Sequence, residues 1–215
     1  MKKLDLRILL SILSLVALAL ACSSINLPGG DNAILRDDFS SSSSGWGTGT
    51  DPDSSVEYAN GGLQFTVYSG YYITWSNPNL QNYQNVHVDV SVTNNSPDPL
   101  AIFGIICHEQ ESQDFYYLGV AADGYYTISK STVGQDDVSF TNGTSSSVPT
   151  GNSPFTMGAD CGNGNLALYV NGQQIATAQN TTFTTGKVGL FAWTDEQPNG
   201  ANVMFDDFVV TSLAQ

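Results

Sequence analysis

The run His108-Glu109-Gln110-Glu111-Ser112-Gln113-Asp114 separates two apolar segments. Glu109 and Glu111 lie two apart and would share one face of a strand. With Asp114 they form the candidate acid and base for cleaving a glycosidic bond. That reaction takes two carboxyl groups, about 5 to 5.5 Å apart for retention or about 6.5 to 9.5 Å apart for inversion. The alternative is a solvated turn, since polar clusters between apolar runs are ordinarily turns. His87 and His108 are the two histidines, and neither has a Cys or His at ligand spacing, so zinc chemistry has no support. The chain also lacks a Gly-x-Ser-x-Gly elbow, the setting of a serine nucleophile in one large hydrolase class.

The 215 residues carry 20 acidic and 6 basic side chains, a formal charge of −14. Nucleic-acid binding is excluded on that balance, because tracking phosphates takes clustered Lys and Arg. Three of the bases, Lys2, Lys3 and Arg7, fall in the first seven residues. Charged residues make up 12 % of the chain, against about 25 % in ordinary globular proteins. With 41 % hydrophobic residues, 10 Phe and 10 Tyr, the sequence can still bury a core and is no disordered acidic tail.

Lys2, Lys3 and Arg7 precede an apolar stretch, Ile8 to Ala21, the pattern of a signal peptide. At 1.5 Å per residue such a helix falls short of the roughly 30 Å hydrocarbon core. The Leu18-Ala19-Leu20-Ala21-Cys22 run resembles the lipobox of bacterial lipoproteins, which implies acylation of Cys22 and anchoring in a lipid bilayer on the outer face of the cell envelope. An ordinary secretory signal is the alternative. The expected organisation is a signal peptide over residues 1–21, a flexible tether over 22–34 and a folded domain over 35–213.

Beyond Cys22, alternation of apolar and polar residues recurs between turn signals, with no sustained helical period. Val86, Val88, Val90 and Val92 alternate with His87, Asp89, Ser91 and Thr93. Leu63, Phe65 and Val67 do the same. Leu166 to Ala178 reads as a hairpin turning at Asn171-Gly172, a pair suited to a type I′ turn. Other strands are expected at Ile34 to Phe39, Gly70 to Trp75, Ala101 to His108, Phe115 to Ala121, Gly124 to Lys130, Phe155 to Cys161, Lys187 to Trp193 and Val203 to Thr211. Ser40 to Ser44 and Thr141 to Ser153 read as loops. More than ten short strands predict an all-β, antiparallel two-sheet sandwich or jelly roll.

Cys107 and Cys161 remain once Cys22 is set aside, and export favours their bridging; two buried free thiols are the alternative. Trp75, Tyr116, Tyr126 and Trp193, with Tyr71 and Tyr72, fall on strands or at their ends. Some of these rings would face a cleft and others the core.

Asp37-Asp38-Phe39 with Gly45-Trp46, Phe103-Gly104-Ile105-Ile106-Cys107, Asp114-Phe115-Tyr116-Tyr117 and Asp123-Gly124-Tyr125-Tyr126 occur in that order. Leu168-Tyr169-Val170-Asn171-Gly172, Gly186-Lys187-Val188-Gly189-Leu190 and Phe205-Asp206-Asp207-Phe208 follow. The series resembles the concanavalin A-like lectin/glucanase superfamily, close to its 3-keto-disaccharide hydrolase-like group, across about residues 35 to 213. The resemblance implies a jelly roll with one concave sheet that binds oligo- or polysaccharide, with Trp75, Tyr116, Tyr126, Trp193 and His108 as candidate contacts. It also implies a structural Ca²⁺ near Asp206, with Asp38 as partner; separate solvated acids are the alternative. Glucanases of the superfamily carry Glu-x-Asp-x-x-Glu or Glu-x-Asp-x-Glu on a strand, from which Glu109-x-Glu111-x-x-Asp114 departs. The expectation is therefore a lipid-anchored, non-catalytic carbohydrate-binding protein without an organic cofactor. The rivals are a glycoside or 3-keto-disaccharide hydrolase and a structural or adhesion protein.

Overall fold

Alternation organises the polypeptide, of which the computed structural model describes residues 33–213. The nine-stranded sheet contains β1 (Ala33–Asp37), β2 (Gly49–Thr50), β3 (Ser54–Ala59), β4 (Gly62–Val67), β6 (Val86–Asn94), β11 (Phe155–Gly162), β12 (Asn165–Val170), β13 (Gln173–Gln179) and β15 (Ala201–Ser212). The six-stranded sheet contains β5 (Tyr72–Ser76), β7 (Ile102–Glu109), β8 (Phe115–Val120), β9 (Tyr125–Ser131), β10 (Val138–Thr144) and β14 (Lys187–Thr194). The smaller sheet runs β10-β9-β8-β7-β14-β5. The larger runs β13-β12-β11-β6-β15-β4-β3-β2, with β1 added against β15. The four valines of β6 all point inward and are at most 2 % exposed. At the β12–β13 turn, Asn171 and Gly172 adopt the two positive φ angles, 50° and 74°, that a type I′ turn requires.

The core lies between the sheets, and a disulfide crosses it. Cys107 of β7 bonds Cys161 of β11, with 5.7 Å between their Cα atoms and a sequence separation of 54. A loop of that length corresponds to about 4 kcal/mol of stabilisation in the chain-entropy treatment. The first and last strands pair, with Asp37 opposite Phe208, and a clasp fastens them. The Trp46 indole donates from Nε1 to Asp37 Oδ2 at 2.8 Å. Its ring packs edge-on between Phe39 at 5.2 Å and Phe208 at 5.0 Å. The first Asp-Asp-Phe tripeptide thus supplies both a hydrogen-bond acceptor and a ring to one packing unit.

The second tripeptide holds a bulge. The β15 ladder slips between Asp206 and Val209, and Asp207 takes φ 51°, a conformation that Asp tolerates better than most residues. The slip resets the alternation, so that Phe205 and Phe208, three apart, both reach full burial.

Three differences from expectation have physical causes. Strand β10 extends to Thr144, into the segment read as a loop; it is an edge strand paired with β9 alone and needs no apolar alternation. Strands β2 and β3 are short and polar, with Val56 as their one fully inward aliphatic side chain. Strand β1 begins at Ala33, inside the expected tether. The expected signal peptide and Cys22 lie outside the described residues.

Candidate functional site

The six-stranded sheet is apolar on both faces. Its inner residues, among them Phe103, Ile105, Leu118, Ile128, Val188 and Leu190, belong to the main core. On the outer face Ile106, Phe115 and Phe191 form a second cluster, at most 2 % exposed, against which Ile73, Trp75, Ile102, Tyr117 and Trp193 pack. Two glycines make room for it. Gly104 of β7 lies opposite both Gly119 of β8 and Phe191 of β14. A Cβ on Gly119 would come within 2.8 Å of the tip of the Phe191 ring, closer than carbon atoms pack.

A cleft of about 430 Å³ lies over this cluster. Its apolar wall is Ile73, Phe191, Trp193 and Ile102, from β5, β14 and β7; its polar wall is Tyr117, Thr127, Ser129, Ser131, Asp137 and Ser139, from β8 to β10. Tyr125 lines it as well. The polar wall is internally bonded: the Tyr117 hydroxyl donates to Asp137 Oδ2 at 2.9 Å, and the Thr127 and Ser129 hydroxyls lie 2.7 Å apart. Burial foremost, and then the Asp137 charge, raises the Tyr117 phenol far above its ordinary range, so it stays a neutral donor. A smaller hollow shares Ile102, Tyr125 and Trp193 with the cleft and adds Leu100, Ala121, Asp123 and Asp195.

Of the rings singled out from the sequence, Trp193 lines the cleft and Trp75 packs on the outer cluster beside it. Tyr116 and Tyr126 require correction as ligand contacts. Tyr116 is fully buried in the main core, donating to Asn180 Oδ1 at 2.6 Å and accepting from the Phe183 amide. Tyr126 packs against the same core. In each Tyr-Tyr pair strand parity sends the other member outward, so Tyr117 and Tyr125 are the cleft residues. His108 is likewise turned inward and 2 % exposed. Its ring nitrogens lie 3.1 Å from the carbonyls of Phe183 and Gln84, and burial lowers its pKa despite them.

The three candidate catalytic carboxylates have separate partners. Glu109 accepts from Trp75 Nε1 at 2.9 Å and from Asn77 Nδ2 at 2.7 Å. Glu111, largely exposed, pairs with Lys187 at 3.4 Å. Asp114 accepts from Ser112 Oγ and from the Val133 amide. None of the three lines the cleft.

The two Asp-Asp-Phe segments lie side by side where β1 pairs with β15. Burial first, then the charges of Asp207 and Asp38, raise the Asp206 carboxyl above its ordinary pKa. Asp37 is engaged by Trp46 and the Phe39 amide, Asp38 by Ser40, and Asp206 by the Asp207 amide. Among the described residues no three His, Cys, Asp or Glu side chains group as a metal site. A cation here would need backbone oxygens and water to complete its shell.

No family model matches the chain, and no curated protein matches its sequence. Solved structures do match in fold. The carbohydrate binding module CBM66 from Bacillus subtilis superposes with a TM-score of 0.63 at 14 % identity, over 78 % of this chain and 96 % of that one. A Bacillus subtilis protein of unknown function with a galectin-like fold gives 0.62 at 12 %, over 84 % and 96 %. The Bacillus licheniformis beta-glucanase gives 0.59 at 16 %, over 84 % and 98 %. The chain has an all-β jelly-roll fold, the architecture of these neighbours. At these identities the likeness concerns architecture, which carbohydrate-binding modules and glucanases share.

On the outer face of the nine-stranded sheet, His87 sits between two carboxylates, 2.6 Å from Asp160 and 3.2 Å from Asp89. Tyr169 also donates to Asp160, at 2.7 Å. Burial pushes the His87 pKa down, but the hydrogen bonds and charges of Asp160 and Asp89 outweigh it and bring the group up to about 9. A histidine with a pKa raised on folding stabilises the protein fully below its unfolded value, about 6.5, and loses that contribution as pH rises through the folded value. The stability advantage of the wild type over His87→Gln is therefore expected to shrink between about pH 6.5 and pH 9. Thermal melts across that window check it; an advantage constant with pH would contradict it.

Proposed function

We propose that the protein binds a glycan without cleaving it, in the cleft on the outer face of the six-stranded sheet. The observation that supports this most directly is the division of the cleft into an apolar wall of Trp193, Ile73 and Ile102 over the buried Phe191 and a hydroxyl-rich wall of Tyr117, Ser131 and Ser139 over the buried Thr127 and Ser129. A sugar ring has the same two kinds of surface, C–H faces that pack on aromatic carbon and hydroxyl edges that take hydrogen bonds. The neighbours in fold include a carbohydrate binding module and a beta-glucanase, which supports a saccharide ligand for either activity. Binding is favoured over hydrolysis because Glu109, Glu111 and Asp114 are engaged separately and Asp137 is the one carboxylate lining the central cleft. Trp193→Ala is expected to weaken retardation by a bound polysaccharide at least about tenfold in affinity gels, with the circular dichroism of the fold unchanged. Undiminished binding by this variant would place the ligand elsewhere.

The anchoring reading is part of the proposal. Acylation of Cys22 would hold the domain at the outer face of the cell envelope, several acyl chains giving stable attachment where one gives marginal binding. Cys22→Ser is expected to move the protein from the membrane to the soluble fraction on cell fractionation, and an unaltered membrane share would remove the anchor. A structural Ca²⁺ shared by Asp38, Asp206 and backbone oxygens would relieve the repulsion that raises Asp206. On that reading a chelator lowers the melting temperature, and an unchanged melt would leave the two acids as a cation-free pair.

A further inference from the structure

Resting on the glycan reading above, the charge distribution of the cleft narrows the ligand class. Carboxylates stand at both of its ends. Asp137 lines the β9–β10 side, while Asp123 and Asp195 line the adjoining hollow beyond Trp193 and Tyr125. The basic side chains among the described residues are Arg36, Lys130 and Lys187, and none lines either space. Lys187 is paired with Glu111, Arg36 belongs to β1 of the other sheet, and Lys130, between the cleft residues Ser129 and Ser131 and opposite Tyr116, lies on the other face of β9.

A uronate, sialate or sulfate group entering this cleft would shed water without meeting a cation and would approach Asp137. Removing an ionised group from water is unfavourable unless a partner of opposite charge replaces the lost hydration. Its repulsion from Asp137 would be felt within roughly 8 Å at physiological salt. A neutral hydroxyl meets neither obstacle. Asp137 accepts two or more hydrogen bonds as a carboxylate, and Tyr117 uses one of its oxygens, leaving acceptor capacity for a sugar hydroxyl. We propose that the cleft selects glycans free of anionic groups, and that Asp137 is a specificity-determining residue, excluding anions and accepting from a hydroxyl of the ligand.

The test uses matched polysaccharides that differ in charge: hydroxyethyl- against carboxymethyl-cellulose, dextran against carboxymethyl-dextran, and methyl-esterified pectin against polygalacturonate. Affinity electrophoresis of the full chain is expected to show binding to an uncharged member at least about tenfold tighter than to its anionic counterpart, at about 0.15 M salt. Asp137→Asn keeps an acceptor for Tyr117 and removes the charge, so it should reduce that preference at least about threefold. Glu57→Gln, a charge removal on β3 of the other sheet, should leave it intact. Anionic members binding as well as neutral ones, or a preference untouched by Asp137→Asn, would overturn the selectivity while leaving glycan binding in place. Retardation by none of these polysaccharides would count against both readings together.

Discussion

Successive side chains of a strand point to opposite faces, so a sheet packed on one side must still dispose of the residues on its other side. In β7, β8 and β14 those residues are Ile106, Phe115 and Phe191, which are nearly inaccessible to solvent although no second sheet covers them. Their cover is a layer of side chains: Trp75, Trp193, Tyr117, Ile73 and Ile102. The result is a small outer core beneath an aromatic roof, and the cleft is the upper surface of that roof. Large apolar patches are rare on monomers unless they have a use, and here the patch adjoins a wall of hydroxyls.

The two walls answer different requirements. Packing of Phe191 over Gly104 and Gly119 fixes the apolar side, because the ring occupies the volume that a side chain on Gly119 would take. Short-range hydrogen bonds between Thr127 and Ser129, and between Tyr117 and Asp137, organise the polar side. Most of these groups are carried on strands rather than on long loops. Little ordering is then left for a ligand to impose, and the entropic cost of association falls accordingly.

The sheet content was legible from the sequence wherever one face of a strand is buried: the valines of β6, the Leu63-Phe65-Val67 run and the Asn171-Gly172 hairpin. It was illegible at the edge, where β10 pairs with β9 alone and sends only Phe140 against the core, so that no apolar alternation marks it. Trp75, Tyr116, Tyr126 and Trp193 could not be divided between cleft and core, and in the Tyr-Tyr pairs both members have the same propensity and differ only in register. A signal existed: Tyr117 precedes Leu118 and follows Tyr116 in a strand whose Leu118 and Val120 belong inside, which puts 117 outside. The disulfide was legible from compartment and cysteine count, while its role in joining β7 to β11 across the sandwich required the topology.

Two of the bulges that interrupt simple alternation serve opposite sides of the fold. The slip at Asp207 serves the interior by letting Phe205 and Phe208 both enter the core. The slip opposite Lys187 and Gly189, where His108 takes φ 53°, draws His108 under the loops at Gln84 and Phe183 and leaves Glu109 in reach of Trp75 and Asn77. Glu109 is one of the three carboxylates that the sequence offers as a catalytic acid or base. Its two oxygens accept from the Trp75 indole and the Asn77 amide, and it lies outside the lining of the cleft, so what it does in the fold is orient Trp75. The Glu109–Trp75 hydrogen bond thus ties the bulged end of β7 to the aromatic roof of the outer face.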